Sequence, residues 1–259
     1  MRFINKTEPI LEFDKVSKVY LNNKIPNVAL SDINFQVYPQ EVVSILGPSG
    51  CGKTTILRLI CNIINPTKGR IYYGNSDIKH ISRKRIIGLV PQSSALMPNR
   101  TVESNIKLPL EIKGIVSEKK VAKFIELLGL SGFEKFFPDQ LSGGMRQRTA
   151  IARALVYEPE ILLMDEPFAS IDEILREKLN VELVKINRKL KQTVVFVTHN
   201  IEEAVFISDR ILLMSSNPGK IMGEIEVNIE DERDYELRTK NIFYSEVKKI
   251  RKTFKKELC

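Results

Sequence analysis

No stretch of this 259-residue sequence reaches the ~18 consecutive apolar residues of a membrane-spanning helix, although 43% of its residues are hydrophobic. The opening residues, MRFINKTEPI, hold no apolar core of signal-peptide length. Together these absences predict a chain made and kept in the cytosol, whose membrane role, if any, is borrowed from a partner. Histidine occurs only twice, which excludes a multi-histidine metal site. Cysteine occurs three times, at Cys51, Cys61 and Cys259, with neither a paired framework nor metal-ligand spacing. The odd number suits a reducing compartment. Low-complexity tracts and internal repeats are also missing.

What is present is charge and alternation. The formal net charge of +8 would fit a nucleic-acid or anionic-membrane partner. The lysines, however, are scattered among nearly as many acids, and only VKKIRKTFKK near the C-terminus forms a block, so nucleic acid is not expected. LEFDKVSKVYL begins with strict alternation, Leu11 and Phe13 against Glu12 and Asp14, and reads as a half-buried strand. EVVSILG, EILLMD, TVVFVT and RILLM are short, continuous and apolar, as in parallel strands covered on both faces. Ile56, Ile60, Ile63 and Ile64 recur at helical spacing, and so do Val121, Phe124, Ile125 and Leu128. Strands alternating with helices predict an α/β fold, and the strand-poor stretch from about 92 to 147 predicts a helical insert within it.

Gly47, Pro48, Ser49, Gly50, Cys51, Gly52, Lys53 and Thr54 satisfy G-x-x-x-x-G-K-[ST], after a predicted strand and before a predicted helix. In that context the glycines let the backbone curl so that successive N–H groups face phosphate oxygens, and the helix adds its positive end. Lys53 then reaches the β- and γ-phosphates, and the Thr54 hydroxyl, followed by Thr55, is placed for Mg²⁺. A chance match in a chain of this length is on the order of a per cent. The strand ILLMD ends in Asp165, followed by Glu166. A carboxylate at a strand's C-terminal edge suits Mg²⁺, and the next acid suits polarisation of an attacking water. The plainer reading, two solvated acids at a strand end, is the weaker one even for the pair alone, and with the phosphate loop upstream it recedes further.

LSGGMRQR, residues 141–148, lies shortly before ILLMDEP and resembles the signature of the ATP-binding-cassette (ABC) ATPases. VSKVY ends in Tyr20, similar to the family's adenine-stacking aromatic, and LVPQ supplies Gln92, similar to its Q-loop glutamine. ASID ends in Asp172, similar to the D-loop, and VTHN supplies His199, similar to the switch histidine. The resemblance runs from about Leu11 to Val227. It implies a P-loop NTPase fold with a RecA-like core, an antiparallel β subdomain and a helical subdomain. It also implies two subunits sandwiching two ATP molecules with Mg²⁺. Ser142, Gly143 and Gly144 would then meet the γ-phosphate held by the other subunit, with Asp172 near that subunit's phosphate loop. Gln92 would contact metal or water, and His199 the γ-phosphate. Plainer readings stand beside these: a strand aromatic for Tyr20, a turn residue for Gln92, a strand-end histidine for His199. His80 has no assigned role. Cys51 is a spacer whose backbone matters, and a bulky thiol reagent there would block ATP. Departures from the family pattern are Met145 where Gln is common, ASID in place of SALD, and Asn200 in place of Asp.

A cassette without spans implies a separate membrane permease, whose coupling helix would meet SSALMPNRTVESNIKLPL. The chain would then lie peripherally on the cytoplasmic face of the cell membrane, with a solute-binding protein as an indirect partner. GLSGFEKFFPDQLSGGMRQR, LLMDEPFASID and SSNPGKI are similar to importer ATPases of the nitrate/sulfonate/taurine/bicarbonate group. The alternative is a non-transport cassette in iron–sulfur assembly or nucleic-acid work. The predicted division is a nucleotide-binding domain over 1–230 with its helical subdomain at about 92–147, then a basic amphipathic extension over 231–259. In that extension Phe243, Val247, Ile250, Phe254 and Leu258 share one helical face, which either packs on its own domain, the preferred reading, or lies on an anionic membrane.

Overall fold

The computed structural model describes residues 8–22, 25–80, 87–229 and 232–258. They fall into two compact units, one built from the chain up to Arg83 and from Lys191 onward, the other from Lys84–Leu190.

The first unit holds two sheets. In one, β1 (Leu11–Asn22) lies between β2 (Ile25–Val37) and β4 (Lys68–Tyr73), with the short β5 (Ser76–Asp77) at the edge, all antiparallel. Leu11 and Phe13 are buried while Asp14 is exposed, as the alternation predicts. In the other, β3 (Val42–Leu46) runs parallel to both β8 (Thr193–Thr198) and β9 (Arg210–Met214), and β10 (Ile221–Glu226) closes on β9 antiparallel. Every residue of β3, β8 and β9 is buried, which explains their continuous apolar runs.

A buried ion pair joins these sheets. Arg210, at the start of β9, donates to Glu41 at 2.8 Å, to the Gln36 carbonyl of β2, and to Glu224 of β10. Burial opposes the Arg210 charge, but the hydrogen bonds and attraction of Glu41, with Glu224 adding to them, outweigh it and raise its pKa above the ordinary arginine value.

Helix α1 (Lys53–Ile60) follows the glycine-rich loop and ends four residues before Ile64. Asn62 adopts a left-handed φ of 51°, and the N–H groups of Asn62 and Ile63 return to the carbonyls of Leu59 and Arg58. That closure ends the helix. Ile63, helical by spacing, is consequently 61% exposed outside it.

Helix α6 (Ile201–Ile207) receives the C-terminal helix α7 (Asn241–Leu258) in the same unit. Phe243, Val247 and Ile250 are buried, the Phe243 and Phe206 rings meet at 6.4 Å, and Arg238 lies 4.5 Å over Phe206. The apolar stripe therefore packs on its own unit. Phe254 is half-buried, and the Leu258 side chain lies outside those described.

The second unit contains β6 (Ile87–Val90) parallel to β7 (Ile161–Asp165), with α2 (Val102–Ile112), α3 (Glu118–Leu127), α4 (Gly143–Leu155) and α5 (Glu173–Leu190). Val121, Phe124, Ile125 and Leu128 are buried as predicted, and no described residue from 92 to 147 forms a strand. Among the described residues, no helix is long and apolar enough to cross a membrane.

Candidate active site

In the first unit the parallel register decides what meets. Leu46 of β3 lies opposite Thr198 of β8 and Leu213 of β9. The Gly47 loop, His199 and the segment after Met214 thus leave one sheet edge side by side, the edge where α/β folds bind ligands. Gly50 and Gly52 take φ of 78° and 102°, conformations that side chains rarely adopt. A Cβ at Gly47 would stand 2.7 Å from Cys51 Sγ, and one at Gly52 2.7 Å from Leu30. The loop is thereby a Cβ-poor cradle that leads into α1 through Gly52 as N-cap. Lys53 is buried, and its ammonium donates to the Gly47 and Pro48 carbonyls at 2.9 Å each. Those bonds hold a cation inside a loop rich in backbone donors, the chemistry a polyphosphate requires. Ser49 and Thr54 are exposed, and Thr55 is half-buried.

The Cys51 thiol, anticipated as a reagent target, is only 1% exposed, packed beneath Gly47, so direct attack by a bulky reagent is blocked. Burial also pushes the Cys61 thiol up to about 11, away from its reactive thiolate form. His199 is exposed in the β8–α6 turn. Asn200 caps α6 by accepting from the Glu203 N–H at 3.0 Å, and the Thr198 hydroxyl bonds the buried Glu203 carboxylate. Asn and Asp cap about equally well, so the Asn200 departure leaves this turn intact. Tyr20, near the end of β1, is half-buried, with Lys18 Nζ 5.1 Å over its ring.

In the second unit Val90 lies opposite Met164, so the exposed Gln92 and the pair Asp165 and Glu166 leave neighbouring strand ends. Glu166 has φ of 43°, a left-handed conformation costing a non-glycine residue ~1–2 kcal/mol. Strain of this kind concentrates where a side chain must be aimed. Ser142 caps α4 by accepting from the Met145 N–H at 3.2 Å. That donor is therefore used within the cap, and it is a backbone group that the departure at the half-buried Met145 does not remove. The Ser142 hydroxyl still has its own proton to donate. A Cβ at Gly144 would stand 3.0 Å from Leu175, whose N–H donates to Asp172 Oδ1 at 2.9 Å. The glycine pair and Asp172 thus share one corner of the unit.

Two arrangements escape sequence reasoning. Arg153 of α4 donates to the carbonyls of Ser94 and Ala95 at 2.7 Å, fastening the segment after Gln92 to the helix that begins at the glycine pair. Gly219 lies so close to the phosphate loop that a Cβ there would stand 2.1 Å from the Cys51 carbonyl. Its N–H and carbonyl bond Ala29 and Ser31, which fixes it in place. Neither carries a local motif; only SSNPGKI, singled out on subfamily likeness, pointed toward the second.

Comparison with known proteins places this geometry. Residues 30–169 match the family described as "ABC transporter". An uncharacterized ABC transporter ATP-binding protein of Methanocaldococcus jannaschii is 43% identical, over 96% of this chain and 92% of its own. The aliphatic sulfonates import ATP-binding protein of Bacillus cereus is 39% identical over 95% and 96%, and the nitrate import ATP-binding protein of Synechococcus elongatus 38% over 88% and 89%. Among solved structures, a dimeric post-hydrolysis ATP-binding cassette bound to ADP and Pi superposes with a TM-score of 0.75 at 34% identity, over 85% of this chain and 99% of that one. With its phosphate loop, its carboxylate-tipped strand and its serine-capped helix that opens on a glycine pair, this chain belongs to the ABC transporter family.

Proposed function

We propose that this chain is the ATP-binding and ATP-hydrolysing subunit of an importer, working as a head-to-tail pair around two ATP molecules to drive a separate membrane permease. The buried Lys53 ammonium, held by the carbonyls of its own glycine loop, is the observation that carries the nucleotide reading. Similarity to sulfonate, nitrate and taurine import proteins carries the transport reading and favours a small oxyanion, sulfonate or bicarbonate-like solute. The chain would sit on the cytoplasmic face of the membrane through its permease, with a solute-binding protein as an indirect partner. Residues 1–230 would form the nucleotide-binding domain, with its helical subdomain at about 92–147, and 231–259 a C-terminal extension.

In this reading the loop N–H groups and Lys53 hold the β- and γ-phosphates, and Tyr20 stacks on the adenine. Thr54, Gln92 and Asp165 offer the hard oxygen donors that Mg²⁺ prefers. Mg²⁺, when bound, supplies charge neutralisation at the phosphates. Glu166 accepts a proton from the attacking water, and His199 donates to the γ-phosphate oxygens that gain charge. Ser142, Gly143 and Gly144 of one copy close on the γ-phosphate held by the other, with Asp172 beside that copy's loop. ATP joins the two copies, and its hydrolysis releases them.

Two variants test the chemistry. Lys53→Ala should abolish ATP turnover. Glu166→Gln should lower turnover by roughly 10²–10⁴-fold while retaining ATP and accumulating a dimer in sedimentation velocity. Near-normal turnover in Glu166→Gln would remove its water-polarising role, and a monomer at saturating ATP would remove the sandwich.

A further inference from the structure

Tyr20 does not offer a base its hydroxyl. The phenolic oxygen is buried and has no hydrogen-bond partner among the described residues, so the side chain can present only its ring. One face of that ring lies under the Lys18 ammonium, at 5.1 Å from the centroid. Lysine is a flexible chain that would ordinarily wander in solvent, with side-chain entropy opposing any one position. Here its Nζ donates to the Asn65 carbonyl at 2.8 Å.

Asn65 belongs to the short connection from α1 to β4, the segment that follows the phosphate-loop helix. That connection is itself bolted to β1. The Thr67 N–H donates to the Ser17 carbonyl at 2.8 Å, and the Val19 N–H donates to Thr67 Oγ1 at 3.0 Å. Both residues flanking Lys18 are thus fixed by the strap that fixes its ammonium. The left-handed turn at Asn62 delivers the strap by ending α1 early.

We propose that Lys18 is a positioning residue for nucleotide binding: held by Asn65, it covers one face of the Tyr20 ring by a cation–π contact and leaves the opposite face oriented for the purine. This rests on the reading of Tyr20 as the adenine platform. The ring is held before nucleotide arrives, so less ordering remains to be done on binding. The contact acts on the base end of the ligand and not on its phosphates. The strap that leaves the phosphate-loop helix thereby also sets the adenine end, which fixes the distance between the two ends of the site.

The test compares binding of ADP and of inorganic pyrophosphate to the full chain by calorimetry, since neither ligand is hydrolysed and they differ by the adenosine. Lys18→Met keeps the apolar stem and removes the cation. It should weaken ADP binding by roughly three- to tenfold and leave pyrophosphate binding unchanged. Lys18→Arg, which also places a cation over an aromatic face, should restore ADP binding. In a Tyr20→Ala background, Lys18→Met should add no further loss. Equal weakening of both ligands, an unchanged ADP affinity, or additive losses in the double variant would each overturn the proposal. If Tyr20→Ala alone leaves ADP binding unchanged, the adenine platform itself fails, an outcome distinct from a Lys18→Met that is silent while Tyr20→Ala is not.

Discussion

At the scale of single residues, the phosphate loop is held by atoms that have no motif. Gly219 is 167 positions from Gly52 in the chain, yet it fills the space against Cys51 that any side chain would occupy. Forcing a methyl group into such packing costs ~1–3 kcal/mol and shifts the backbone. The backbone available to shift is the loop that orients Lys53. Gly219→Ala should therefore weaken ATP binding at least severalfold and lower the melting temperature. Gly223→Ala, where a Cβ meets nothing within 4 Å, should leave both unchanged. Equal behaviour of the two alanine variants in a nucleotide titration would contradict this role for Gly219.

Among secondary-structure elements, legibility in the sequence follows burial. Strands β3, β7, β8 and β9 announce themselves because they are covered on both faces, so nearly every position must be apolar. Strand β2 does not, because its first four residues are exposed and include Pro26 and Asn27. The end of α1 is equally hidden. Isoleucine spacing continues past it, and the helix stops because Asn62 turns left-handed. Residues of the candidate site were legible wherever the proposed chemistry needs a fixed local spacing, from Gly47 to Thr54 and from Ser142 to Gly144. Arg153 and Lys18 were not, because their partners, Ser94 and Asn65, lie 59 and 47 residues away. Helix α7 shows the same logic in reverse, since its stripe was legible and its partner surface was not. Burial of Phe243, Val247 and Ile250 is worth ~1.5–3 kcal/mol for each side chain. Deleting residues 241–259 should accordingly lower the melting temperature of the purified chain by several degrees or more, and an unchanged transition would contradict the packing.

For the whole molecule, the proposed transport function depends on partners outside the chain. Among the described residues no helix is long and apolar enough to cross a membrane, and in the proposed function solute choice falls to a permease and its binding protein, so transport would enter through assembly. The contribution proposed for the chain itself is a nucleotide-dependent association in which the phosphate loop of one copy meets the serine-capped helix of the other copy, which opens on the glycine pair. The +8 charge is compatible with this and does not require a nucleic-acid partner. The most direct measurement is to purify the tagged chain from detergent-solubilised membranes of its own organism and identify by mass spectrometry what accompanies it in stoichiometric amount. A multi-span permease in a number of copies matching the cassette is the predicted result. Recovery only from the soluble fraction, with assembly factors or nucleic acid and no membrane protein, would contradict the importer account.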